Sequence, residues 1–300
     1  MQTQHSEYRK GLLYGVICYL TWGLFPLYWK MLEHVSSVEI LCHRIIWSCV
    51  FMAVFFWGIR KLKLRNYIRG AKQYLSLLFT GALMTLNWGL YIWAINHHYI
   101  VESSLGYYIN PLFSVLFASL FLKEKLNRSQ KVAILFALVG VVYFAIDYGR
   151  FPIISLVLAT SFAIYGLMKK KMGVDATAAL TVETMWMMPL AFGYVTFLCV
   201  TGCSALNSFS LITTLLLLGA GVVTALPLLW FGKAAERIPL STLGFLQYFS
   251  PTLQLLLGVL LYNESFTCSH IVCFACIWVG LLIYSVDIFR TIKKNKKATN

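Results

Sequence analysis

The sequence predicts an all-α membrane protein of ten transmembrane helices, arranged as two inverted five-helix repeats with both termini in the cytoplasm. Three observations predict it: the chain is too apolar for water, its apolar runs have bilayer length, and its second half repeats the first. Of 300 residues, 59% are hydrophobic and only 12% charged, and the mean hydropathy is +0.73, which calls for a lipid surround. A helix crosses a bilayer with about 20 apolar residues. Runs of that order occupy 11–29, 38–58, 73–96, 100–122, 130–146, 152–168, 177–200, 209–230, 238–261 and 268–288. A closed barrel would instead show short alternating strands. Several connections are so short that any chemistry must lie inside the bundle or at its mouths.

The repeat has an offset of 140. Pro111, twelve residues and Glu124 recur as Pro251, twelve residues and Glu264, and Thr21-Trp22-Gly23-Leu24-Phe25-Pro26-Leu27 finds a relative in Ser161-Phe162-Ala163-Ile164-Tyr165-Gly166-Leu167. The division falls at 1–149 and 150–300. With five spans in each half, an odd number, the second half enters the bilayer from the opposite side. Inverted repeats of this kind mark transporters.

The net charge of +14 is unevenly placed. With the N-terminus inside, 22 of the 25 basic residues fall on inner segments: Arg9 and Lys10, the stretch from Arg60 to Lys72, Lys123 to Lys131, Lys169 to Lys171, Lys233 and Arg237, and the tail from Arg290. Lys30 and Arg150 fall outside and Arg44 within a span. This asymmetry fixes both termini in the cytoplasm, and solvated or headgroup-facing charge explains it without nucleic acid. The first apolar run lacks a small-residue cleavage site and is expected to remain as a span. Eight cysteines, mostly in or beside apolar runs, read as small hydrophobes. Cys273 and Cys276 lack a second ligand pair, and adjacent His97 and His98 point apart on one helix, so no metal site is expected.

Proline inside a helix frees the carbonyl four residues earlier. Pro111 and Pro251 therefore release Tyr107 and Gln247 near the membrane midplane, in the contexts Leu105-Gly106-Tyr107-Tyr108-Ile109-Asn110-Pro111 and Leu243-Gly244-Phe245-Leu246-Gln247-Tyr248-Phe249-Ser250-Pro251. Either neighbouring helices fill the kink or it lines a watered cavity. Pro26 and Pro227 add further irregularities.

Intramembrane charge marks function because a buried ion is costly. Three ionisable groups lie well within spans: His43, Arg44 and Glu183, with His43 and Glu183 at equivalent places 140 apart. Each is about 10 Å deep from opposite faces, leaving about 10 Å between them, so they are placed to flank a central cavity from above and below. Arg44 either snorkels to the outer headgroups or anchors an anion such as a carboxylate through its planar fork. Glu183 is either a hydrogen-bonded structural carboxyl or, in a low-dielectric cavity, a carrier of coupling protons. His43 titrates near neutrality, as a second coupling candidate, or bridges to Glu39 four residues earlier. Glu124 and Glu264, at span ends, read as structural caps.

Aromatic residues make up 16% of the chain. Trp22, Phe25 and Trp29, and Trp88 and Tyr91, follow helical spacing, which packing or an interfacial belt explains as readily as a ligand cage. Together Trp22, Asn87, Trp88, Tyr91, Tyr108, Asn110, Tyr165, Gln247 and Tyr248 would form an amphipathic, partly aromatic pocket.

Almost the whole chain, about residues 8–288, resembles the RarD branch of the EamA-type proteins in the drug/metabolite transporter superfamily. The resemblance is carried by Tyr19 to Lys30, Glu39 to Ser48 with Cys42-His43-Arg44, Glu102-Ser103-Ser104-Leu105-Gly106 through Pro111, Glu183-Thr184-Met185-Trp186, and Leu240 to Tyr248. It implies a ten-helix permease of two EamA repeats in a bacterial cytoplasmic membrane, moving small metabolites by alternating access. The family pattern falls on His43, Arg44, Asn110, Pro111, Glu183, Gln247 and Pro251. Gly106 precedes Pro111 by five residues and Gly244 precedes Pro251 by seven, so the half-sites are not identical.

The leading expectation is thus a secondary transporter exporting small amphipathic metabolites, drugs or amino-acid-like compounds, with the bilayer and the substrate as partners and protons as a coupling candidate. No cofactor is expected, and no phosphate-binding G-x-x-x-x-G-K-[ST] stretch occurs. The alternatives are a membrane-embedded enzyme on lipid-like substrates, which would use Glu183 or His43 as acid or base, and a passive channel.

Overall fold

The structure is a computed structural model describing residues 2–59, 64–96, 99–149, 151–208, 210–261 and 268–297. Arg60, Lys61, Lys63, His97, His98, Arg150 and Glu264 lie outside the described residues, as do the side chains of Arg65, Glu102, Ser103, Ser104 and the basic tail from Arg290.

Every apolar run becomes a helix. The first forms α1 (Gln2–Gly23) and α2 (Phe25–Lys30); the others form α3 (Ser37–Ala53), α4 (Gly70–Asn96), α5 (Ile100–Phe121), α6 (Arg128–Tyr148), α7 (Ile153–Met172), α8 (Ala176–Val200) and α9 (Leu211–Arg237). The ninth run is split into α10 (Leu240–Leu246) and α11 (Phe249–Leu261), and α12 (Cys268–Lys297) closes the chain. Among the described residues, nine segments are long and apolar enough to span a membrane, and α5 carries the shorter apolar stretch Leu105–Phe121. Their outer faces stay apolar: Leu190, Val200 and Leu260 are 76%, 82% and 74% exposed. Helices apolar all round belong in lipid.

Local chemistry sets the ends. Asn127 and Gln130 form a reciprocal capping box at the start of α6, Asp175 accepts from Thr177 and Ala178 N–H at α8, and Ser210 accepts from Thr213 N–H at α9. Gly149 and Gly173 end α6 and α7 with φ of 71° and 60°, a region that favours glycine.

The four prolines singled out in the sequence do not all break their helices. Pro26 breaks the first span at Leu24, and the carbonyl it frees, that of Trp22, accepts from Gln254 Nε2 on α11 at 3.1 Å. The ninth span breaks at Gln247 and Tyr248, which leaves Pro251 in the first turn of α11, where a missing N–H costs little. The Gln247 carbonyl accepts from Ser250 N–H at 3.1 Å. It is therefore not released as the sequence suggested, because a tighter turn recovers it. Pro111 and Pro227 sit within unbroken α5 and α9.

Packing pairs recur in the two halves. α5 lies on α7 as α1 lies on α11, α3 on α9 as α4 on α8, and α1 on α9 as α4 on α7, while α6 packs on α12. At that last crossing the backbones approach closely. A Cβ on Gly140 would sit 2.9 Å from the Cys273 carbonyl oxygen, and one on Gly280 would sit 2.8 Å from that of Ala133. Each contact is the other shifted by 140 positions. Trp22 meets Phe162 edge-on at 5.8 Å, and Tyr248 OH donates to the Tyr108 carbonyl at 3.4 Å; both pairs are also 140 apart.

Candidate functional site

A narrow cleft lies between α3, α4, α7, α8 and α9. Its walls are largely apolar, with Ile45, Met84, Trp88, Leu180, Met187 and Leu228, and carry the hydroxyls of Ser48, Thr85, Thr184 and Thr224. Two charged side chains reach it, Arg44 from α3 and Glu183 from α8.

Arg44 is half-buried and does not snorkel into free water. Its Nε donates to Thr224 Oγ1 at 3.0 Å, and its guanidinium carbon lies 4.8 Å from the Trp29 ring and 4.5 Å from the Trp88 ring. Flat, weakly hydrated guanidinium suits such aromatic flanks. Among the described residues no carboxylate comes within 4.0 Å of it. Tyr91 and Tyr107, whose rings meet at 5.5 Å, lie within its electrostatic range.

Glu183 is fully compensated instead. Thr80 Oγ1 donates to Oε1 at 2.6 Å, the Lys169 ammonium lies 2.8 Å from Oε2, and Tyr165 OH reaches Oε2 at 3.4 Å. By sequence Lys169 belongs with the inner basic cluster, but it is 7% exposed and is the ion-pair partner of Glu183, which that pattern does not reveal. A signal existed: it follows Tyr165 by four positions, hence on the same helical face. Successive residues turn by about 100°, and its neighbours diverge accordingly. Lys170 donates to the Ile238 carbonyl at 2.5 Å, and Lys171 sits 5.5 Å from the Phe121 ring.

His43 does not flank the cleft. It is 3% exposed and turned toward Glu39 and Trp47, with Nε2 at 3.9 Å from Glu39 Oε1 and Nδ1 accepting from Trp47 Nε1 at 3.2 Å. Neighbours on one helix diverge, so Arg44 can face the cleft only if His43 does not. Glu39 in turn accepts from Ser204 Oγ at 2.5 Å and Ala205 N–H at 2.9 Å, tying α3 to the connection before α9.

Of the other sequence candidates, Trp88 and Tyr165 line the cleft. Trp22 packs among Tyr19, Phe162 and Phe231. Asn87 Nδ2 ties α4 to α7 by donating to the Leu158 carbonyl at 2.9 Å and Ser161 Oγ at 2.7 Å. Tyr108 is buried against Phe144 and Phe274, while its neighbour Tyr107 turns toward Tyr91. Tyr248 and Gln247 belong with it to the packing around α5 and α10, where Ser114 donates to Gln247 Oε1 at 3.2 Å and Asn110 Oδ1 is buried without a partner. None of Pro26, Pro111, Pro227 and Pro251 lines the cleft. Glu124 caps α10, accepting from Leu240 N–H at 2.8 Å and Ser241 N–H at 3.0 Å. Among the described residues no three His, Cys, Asp or Glu side chains gather as a metal site requires.

A bundle of membrane-length helices around a charged, partly aromatic cleft defines a multi-pass membrane transporter. The model of the EamA-like transporter family matches residues 9–146. The uncharacterized transporter YojE of Bacillus subtilis is 47% identical over 94% of this chain and 95% of its own, and protein RarD of Escherichia coli is 41% identical over 97% and 99%. Protein RarD of Streptomyces exfoliatus is 42% identical over 97% of this chain and 93% of its own. The chain belongs to the EamA family, in its RarD branch. A solved crystal structure superposes with a TM-score of 0.71 at 16% identity, covering 94% of this chain and 98% of the other, which shows the fold.

Proposed function

We propose that the protein is a secondary active exporter of small amphipathic metabolites, drugs or amino-acid-like compounds, working by alternating access around the cleft. The observation that carries this reading is Arg44, a cation inside the bundle, on the wall of a largely apolar cleft, with no carboxylate within 4.0 Å among the described residues. An uncompensated buried charge is costly, and an incoming ligand would relieve the cost. Access from one side is supported by an asymmetry: Arg44 is half-buried, whereas Glu183 is 4% exposed. Beyond Glu183, Arg237 ties α9 to Glu7 of α1 at 2.9 Å.

The two halves, 1–149 and 150–300, would act as the elements that rock, with both termini cytoplasmic in a bacterial inner membrane. The recurring contacts at an offset of 140 support that division. Proton coupling through Glu183 would require the Lys169 pair to open during the cycle. The test is counterflow in proteoliposomes: saturable exchange of a labelled solute is expected, and absence of flux over a broad panel of metabolites and drugs would overturn the reading.

A further inference from the structure

From the charge balance of the cleft we infer that its ligand is a monoanion, a carboxylate on an apolar, preferably aromatic body, and not a cation or a zwitterion. The inference rests on the transporter reading and narrows its substrate class. Two charged groups line the cleft, Arg44 and Glu183. Glu183 is a poor partner for a substrate ammonium: its charge is already paired with Lys169, Tyr165 also reaches Oε2 and Thr80 donates to Oε1, and the side chains of the ion pair are 5% exposed each. Its negative charge is cancelled by Lys169 from behind the wall. One positive charge is left over, on Arg44.

The geometry at Arg44 selects the anion. Nε is used by Thr224, and the Trp29 and Trp88 rings flank the group. What remains is the terminal Nη1/Nη2 edge, whose two parallel N–H groups match the oxygens of a carboxylate. Trp88, Met84, Met187 and Leu228 supply the apolar wall for the body of the ligand.

Three probes sharing one phenyl body separate the classes: 3-phenylpropanoate, L-phenylalanine and 2-phenylethylamine, titrated against the purified full chain in nanodiscs. The first is expected to bind at least about tenfold more tightly than the other two, a difference of about 1.4 kcal/mol, and Arg44→Gln is expected to abolish the preference. Lys169→Met should expose the Glu183 charge, weaken 3-phenylpropanoate and close the gap with phenylalanine. The double variant Lys169→Met/Glu183→Gln, again net positive, should restore the anion preference, which a merely structural role for the pair would not do. Equal or tighter binding of phenylalanine or phenylethylamine, an unchanged preference in Arg44→Gln, or no saturable binding of 3-phenylpropanoate would each overturn the inference. Flux in proteoliposomes is read separately. Counterflow of phenylalanine or phenylethylamine without 3-phenylpropanoate binding removes the monoanion class and keeps the transporter, whereas binding without any flux removes the transporter.

Discussion

Lys169 and Glu183, fourteen residues apart on adjoining helices, form an ion pair of 2.8 Å at the wall of the cleft, each side chain only 5% exposed. Burying such a pair is costly, and removing one partner costs far more than removing both. Lys169→Met should therefore lower stability by about 3–5 kcal/mol, while Lys169→Met/Glu183→Gln should recover most of the loss. Thermal unfolding of the parent and the two variants checks this. The same double variant decides proton coupling: if Glu183 carries the proton, the pH dependence of counterflow disappears, and a retained pH profile removes Glu183 from that role.

Arg44→Lys keeps the charge but loses the planar fork and the fit to Trp29 and Trp88. A charge-assisted hydrogen bond contributes about 1.5–3 kcal/mol, so the KM of a carboxylate substrate should rise about 10- to 100-fold. An unchanged KM would mean that Arg44 merely holds Thr224.

His43 belongs to the buried cluster with Glu39 and Trp47, away from the cleft wall. His43→Ala should leave ligand affinity within about twofold, a shift of about 0.4 kcal/mol, because His43 does not line the cleft. It should lower stability by about 1–3 kcal/mol through the stranded polar partners. Ligand titration and thermal unfolding of one preparation give both numbers.

Close helix crossings depend on particular glycines. A Cβ at Gly221 would lie 2.2 Å from the Trp47 carbonyl carbon, while one at Gly193 would meet nothing within 4 Å. Gly221→Ala should cost about 1–3 kcal/mol or more by forcing α9 from α3. Gly193→Ala, with open space before it, should be neutral or slightly stabilising by helix propensity. Equal melting temperatures for the two would contradict the packing.

At the end of α10 opposite its break, Glu124 holds two backbone N–H groups and the Ser241 hydroxyl, all within 3.0 Å. Glu124→Ala should cost about 0.5–2 kcal/mol, as lost caps do, with Glu124→Gln intermediate. Hydrogen exchange at Leu240 and Ser241 reads the loss locally.

Much of the site's logic was legible one residue at a time, and the errors have a shared cause. Arg44 and Glu183 stand out because charge in an apolar run is rare. Lys169 is hidden in the sequence because it opens a run of three lysines at a span end, where a solvated head is the ordinary reading. Tyr108 was preferred to Tyr107, and His43 set beside Arg44, because spacing within one helix does not say which face meets which neighbour.

Although it left open which proline-bearing spans would break, the sequence by itself determined the helical class, the place of the apolar runs, the 140-residue offset and the prolines within those runs. These follow from hydropathy, from proline's missing donor and from an offset visible in the chain. Tertiary structure alone decided that Lys169 neutralises Glu183, that Trp29 and Trp88 flank Arg44, that Gln254 takes up the Trp22 carbonyl, and that Asn87 and Gln247 serve packing. Each of these joins helices distant in the chain, and the rotation of one helix against another is set by packing that no single helix encodes.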